Sequence, residues 1–160
     1  MTKEKYIHKL IDLSQKKHLA LIKILKLTEE QSLAISEDNI EGLQKLLDLK
    51  QQEMDIIDQL DDEFEVYYFR LKSDLGVESL EELRLSEING SAELKQIITS
   101  ISDILRQIQV IESQNNNKVK ELMDDLSTQI KQVKQGQIAN NGYNIASKLP
   151  QQSYYFDTKK

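Results

Sequence analysis

Two histidines, a run of carboxylates and a short asparagine tract are the residues of this 160-residue chain whose types and spacing invite a chemical reading. His8 has Glu4 and Asp12 one helical turn to either side, the spacing at which one helix face offers ligands to a metal ion. His18, however, lies roughly 80° further round the same helix, with no carboxylate three or four residues before it. The Glu-x-x-His pairs of di-iron bundles are absent as well, because Lys5 and Gln15 stand three residues before the two histidines. Both histidines therefore read as surface or half-buried side chains, and neither a metal nor a cofactor is expected. Asp58, Asp61, Asp62, Glu63 and Glu65 could bring two carboxylates together for acid–base work. They have no cleft-forming loops around them, and a charge run of this kind is the wet side of a helix. The chain has no cysteine, no glycine-rich phosphate cradle and no Gly-x-Ser-x-Gly elbow, so no enzyme is expected.

The asparagines lead instead to the element that must hold them. Leu94, Ile98, Ile101, Leu105, Ile108, Asn115, Val119, Leu122, Leu126 and Val133 recur at alternating gaps of four and three, with Glu112 and Gln129 as the polar members of the series. No proline or glycine interrupts this seam before Gly136. Some 45 helical residues make a rod of about 65 to 70 Å, too long to be buried in a chain of this size. It must pair lengthwise with other helices. Asn115 on that seam has three readings: a buried amide that fixes register, a point where the bundle loosens to admit a visiting helix, or a solvated side chain.

Two partner helices lie upstream. The first is expected over residues 3–36, capped by Thr2, with Ile7, Leu10, Ile11, Leu21, Ile22 and Leu25 on a face that Leu13, Ile24 and Leu27 broaden. Ser14, His18, Thr28 and Ser32 fall on the same stripe and predict looser packing there. The second is expected from 39 to 75, with Asp38 as N-cap, Glu41 completing a capping box and Gly76 as the left-handed stop. Its apolar positions are Ile40, Leu43, Leu47, Met54, Ile57, Leu60, Phe64, Tyr67 and Leu71. Tyr67, Tyr68 and Phe69 are successive residues about 100° apart, so at least one must leave the seam. Ser79 and Glu82 suggest a short bridging helix over 77–86, and Asn89-Gly90-Ser91 a turn. The fold class is thus all-α, an elongated antiparallel bundle of three long helices with a bridging helix. Two regions follow: a helical bundle over 1–137 and, over 138–160, a flexible tail rich in Asn, Gln, Ser and Lys.

A net charge of −6 argues against nucleic acid, which demands a basic stripe, and Lys118 and Lys120 are interleaved with Glu121, Asp124 and Asp125. No apolar signal-peptide core and no uncharged run of about 18 residues is present, so a soluble, unprocessed protein without membrane insertion is expected.

Three stretches together are similar to one family. Asp38-Asn39-Ile40-Glu41-Gly42-Leu43 leading to Leu46-Leu47 and Lys50 resembles the opening of the second helix in the FlgN-type flagellar export chaperones. Gln114-Asn115-Asn116-Asn117 resembles that family's asparagine stretch in the last helix. Tyr143 after a glycine and the closing Tyr154-Tyr155-Phe156-Asp157-Thr158-Lys159-Lys160 resemble its tail. The resemblance implies a cytoplasmic type III export chaperone that holds the amphipathic C-terminal segment of the hook-filament junction proteins FlgK and FlgL. It would keep them from assembling early and deliver them to the export gate protein FlhA, with Tyr143 at the gate contact. The physical counterpart is a helix-in-groove surface, which the sequence offers at Val119, Leu122, Met123, Leu126, Ile130 and Val133. The alternative reading of the same seam is a structural coiled coil that self-associates into a homo-oligomer.

Overall fold

A computed structural model describes residues 2–79 and 88–137 of the chain. They form three helices, α1 (Lys3–Ser36), α2 (Ile40–Leu75) and α3 (Ser91–Gln137). Each helix end has a local chemical cause. The Thr2 hydroxyl accepts the Lys5 N–H at 3.3 Å and so starts α1. The reversal after Ser36 is tight because Asp38 takes a left-handed conformation, with φ of 57°. Aspartate is among the few residues that tolerate this conformation. Asn39, not Asp38, is therefore the N-cap of α2, and its side chain accepts the Gly42 N–H at 3.0 Å. At the other end, Gly76 at φ 68° stops α2, and the Val77 N–H reaches the Lys72 carbonyl at 3.2 Å. The bridging helix expected over 77–86 falls largely on residues 80–87, which lie outside the described residues together with the expected tail at 138–160.

α1 is the middle element. α2 runs antiparallel along one side of it and α3 parallel along the other, while α2 and α3 meet mainly through long side chains. The connection into α3 comes close to α1, since a Cβ on Gly90 (φ 96°) would stand 2.9 Å from Ile7 Cγ2. Three apolar clusters follow along the bundle. The first joins Ile7, Leu10 and Ile11 to Leu71, Ile88 and Leu94. Tyr6, Phe64, Tyr67 and Tyr68 pack around it. Of the aromatic triplet, Phe69 is the one that leaves the seam, 66% exposed. The second cluster joins Ala20, Leu21 and Ile24 to Ile57, Ile101 and Ile108. The third joins Ala34 and Ile35 to Leu43, Leu47 and Val119.

Of the positions of α1 where looser packing is expected, His18 and Ser32 are half-buried, but Thr28 and Ser14 are enclosed. Thr28 is fully buried and Ser14 nearly so, because α1 has a neighbour on both sides, and the Thr28 hydroxyl is satisfied by donating to the Ile24 carbonyl at 2.7 Å. Ile22 instead faces outward. The acidic run on α2 flanks the α1–α2 seam, where Asp61 meets Lys17 at 2.7 Å, Glu63 meets Lys9 at 3.4 Å and Glu53 meets Lys23 at 3.6 Å. Exposed pairs of this kind contribute about 0 to 1 kcal/mol each. Their effect is on register more than on stability.

Candidate functional site

Between the second and third clusters the core turns polar. Gln31 and Thr28 of α1, Lys50 of α2 and Asn115 of α3 are all buried. The Lys50 ammonium is 3% exposed, donates to Gln31 Oε1 at 2.8 Å and pairs with the Glu112 carboxylate. Burial pushes the Lys50 ammonium down from the ordinary 10.5 to about 8, because removal from water penalises its charged form. One turn further on, the Asn115 amide donates to the Thr28 carbonyl at 3.2 Å and its oxygen accepts from the Ser32 hydroxyl. Asn115 is thus buried and bonded to α1, which excludes the solvated reading and supports the register-fixing one.

Sequence reasoning missed Lys50 and Gln31 as members of the core. The signal was present as a gap: Leu43, Leu47, Met54 and Ile57 leave position 50 vacant in the apolar series, and Ile24, Thr28 and Ile35 leave position 31. Polar residues at those places had to be buried or to break the seam.

Past this layer, α3 outruns its partners. It has 47 residues against 34 in α1 and 36 in α2. Val119 lies level with Ile35 and Leu43, so the residues after Leu126 extend about 16 Å beyond the turn that joins α1 to α2. The six side chains singled out in the sequence are divided by this geometry. Val119, 5% exposed, belongs to the third cluster and forms the floor of the region. Met123 is half-buried against the same cluster. Leu122 and Leu126 are each 38% exposed and edge a shallow notch of about 60 Å³, closed on its other side by Ile35, Asp38, Ile40 and Leu43. Ile130 and Val133 belong to none of the three clusters. Tyr143 lies outside the described residues.

A strict heptad puts Val119 and Leu122 on one seam, and the structure separates them. A straight helix drifts about 20° per heptad, so the inward line passes from Ile108 to Asn115, Val119 and Met123. Leu122 is left on the rim.

The notch is apolar and small, suited to one branched side chain and not to a metabolite. Among the described residues no group of three or more His, Cys, Asp or Glu side chains could hold a metal ion. His8 is exposed and His18 half-buried. No helix among the described residues is long and apolar enough to cross a membrane. What the region can do is cover an apolar helix.

No curated protein and no solved structure matches the chain. A protein-family model described as FlgN protein matches it over residues 1–151. That span takes in all three helices and the distal stripe, and the chain therefore belongs to the FlgN family, a family of flagellar export chaperones and not of enzymes.

Proposed function

We propose that the chain is a cytoplasmic chaperone for the hook-filament junction proteins FlgK and FlgL, and that it holds their amphipathic C-terminal segment on the distal stripe of α3. The observation that carries this reading is the length mismatch, which leaves Leu122 and Leu126 at the rim and Ile130 and Val133 beyond the core clusters. A client helix laid there covers its own apolar face with i, i+3 and i+4 anchors. Met123 adapts its shape to the client, and Val119 supplies a fixed base. Each large side chain buried in this way contributes about 1.5 to 3 kcal/mol, enough for affinity after the client segment has been ordered. Release then needs only a competitor. We propose FlhA as that acceptor, with Tyr143 as the contact.

The test is titration calorimetry of the full chain with a C-terminal fragment of FlgK or FlgL. Substituting Leu122→Asp together with Leu126→Asp should weaken binding by about 100-fold or more while the far-ultraviolet circular dichroism stays unchanged. Undiminished binding by that variant would remove the stripe from the site. Tyr143→Ala should retain the client and lose FlhA.

A further inference from the structure

We propose that the distal half of α3 swings off the α1–α2 hairpin as a unit, pivoting just past Ile108, while the hairpin itself and the first two apolar clusters stay closed. The polar layer of Lys50, Gln31, Glu112 and Asn115 is the latch of this opening.

The hold on α3 changes along its length. Up to Ile108 it places Leu94, Ile97, Ile101, Ile104, Leu105 and Ile108 in or against the first two clusters. Beyond Ile108 only Val119 and the half-buried Met123 join a cluster, the third. The remaining ties are those of the layer. The Lys50 ammonium pairs with the Glu112 carboxylate, the Asn115 amide donates to the Thr28 carbonyl at 3.2 Å, and the Asn115 oxygen accepts from the Ser32 hydroxyl. Opening returns both charges to water, and their regained hydration offsets most of the attraction that is lost. A break here therefore costs less than one through an apolar layer of the same size. The hairpin has ties of its own that do not involve α3. Ala34 and Ile35 pack on Leu43 and Leu47, Lys50 keeps its bond to Gln31, and the Asn39 N–H donates to the Ala34 carbonyl at 2.9 Å. So α3 leaves and the hairpin does not part.

The asparagine tract lies at the pivot. Asn115, Asn116 and Asn117 are successive weak helix formers, whose side chains compete for the bonds of the backbone. Contact with α1 holds them in the helix. An isolated helix draws little stability from propensity alone, so the detached segment frays from this tract onward and its amide hydrogens exchange. The opening also bears on the notch, which is lined by Ile35 and Leu43 of the hairpin and by Leu122 and Leu126 of α3. The notch exists only while the latch is shut. A client seated there favours the closed state, and in this consequence alone the opening rests on the proposed client site.

Hydrogen exchange of the unmodified chain, followed by nuclear magnetic resonance at rising urea below the unfolding transition, reads the opening directly. The amides of 112–126 should exchange through one shared opening, about 100-fold or more populated than the one that releases 97–108, and less sensitive to urea. The amides of 43–50 should follow the slower group. The variant carrying both Lys50→Met and Glu112→Leu has apolar packing in place of the latch, and should slow exchange over 112–126 by about tenfold or more. Protection that falls smoothly from Ile108 to Gln137 would mean end fraying and overturn the proposal. So would equal protection on both sides of Ile108, joint exchange of 43–50 with 112–126, or a double variant with unchanged distal rates. Since the chain has no cysteine, Val119→Cys gives a second readout: its thiol should be labelled at low urea, whereas that of Ile108→Cys should wait for global unfolding. A junction-protein fragment should slow the labelling of Val119→Cys. A fragment that binds in calorimetry yet leaves that rate unchanged would overturn the link between opening and client, and one that fails to bind would overturn the client reading alone.

Discussion

Removing Lys50 and Glu112 together should cost the bundle little or nothing, although removing either one alone should destabilise it, and removing Glu112 the more. Lys50 is 3% exposed and its ammonium is pushed down from 10.5 to about 8 by loss of hydration, a penalty of roughly 3 kcal/mol at neutral pH. Glu112, with 23% of its side chain exposed, and Gln31 keep that penalty from being larger. In Glu112→Leu the charge stays buried without its partner, and a loss of about 3 to 5 kcal/mol is expected. In Lys50→Met the Gln31 oxygen loses its donor and Glu112 turns toward water, so the loss should be smaller, about 1 to 3 kcal/mol. The double variant removes both the penalty and its compensation and replaces them with apolar packing. Its stability should equal or exceed that of the parent. Urea unfolding followed by circular dichroism gives all four corners of the cycle, with an expected coupling of about 3 kcal/mol or more. A Glu112→Leu chain as stable as the double variant would refute the reasoning.

The same pair predicts a pH dependence. Because the folded state holds the Lys50 proton less tightly than the unfolded chain, the unfolded state binds more protons between pH 8 and 10.5. The contribution of this group to stability is thus at its lowest below pH 8 and rises as pH passes through 8 toward 10.5. Compared with the double variant, the parent should gain up to about 3 kcal/mol across that window. Parallel curves for the two proteins would show that Lys50 is not the desolvated charge described above.

Five single substitutions have further expected outcomes. Gly90→Ala should destabilise by about 2 kcal/mol or more in thermal or urea unfolding, since φ of 96° is strained for alanine and the new Cβ meets Ile7. Gly76→Ala, strained but with open space around it, should cost only about 1 kcal/mol. Leu71→Ala, at a fully buried site, should cost about 2 to 5 kcal/mol, whereas Phe69→Ala, 66% exposed, should lie within about 0.5 kcal/mol of the parent. Asn115→Leu strips the Thr28 carbonyl and the Ser32 hydroxyl of a partner, and should broaden the amide signals of α3 in nuclear magnetic resonance spectra as its register against α1 becomes less specific.

The three long helices and the glycine stop at residue 76 were legible because periodicity and caps are local properties of the sequence. The cap at Asn39 was displaced by one residue because Asp38 and Asn39 have similar capping chemistry, and only the tightness of the turn decides which one enters the left-handed region. The sequence pattern predicts loose packing at Thr28 and Ser14, because a one-dimensional stripe does not tell whether a helix has one neighbour or two. Their full burial follows from the central place of α1. Lys50 shows the same limit more sharply. An isolated lysine on an apolar seam looks like a solvated interruption until Gln31 and Glu112, distant in sequence, are seen to converge on it. For the distal stripe the residues were legible, but the division between them was not, since the heptad drift that buries Val119 and leaves Leu122 on the rim accumulates over the whole of α3.

The polar layer and the overhang belong to one arrangement. The first two clusters bring apolar residues of all three helices together, and their packing has no charge to accommodate. Beyond them, the layer of Gln31, Lys50, Glu112 and Asn115 fixes register but adds little net stability, because desolvation offsets most of what its bonds contribute. The third cluster, five buried residues at the open end, is therefore tied to the bundle less strongly than the other two. Low local stability is where binding surfaces that must yield and re-form are found. In this chain the third cluster lies beside the notch between Leu126 and Ile40, where the distal stripe begins. A visiting helix that fills the notch adds the apolar contacts which the third cluster lacks, and the register set by Asn115 holds the receiving surface in place while it does so. On the function proposed above, loading and release act on the distal end while the first two clusters stay closed.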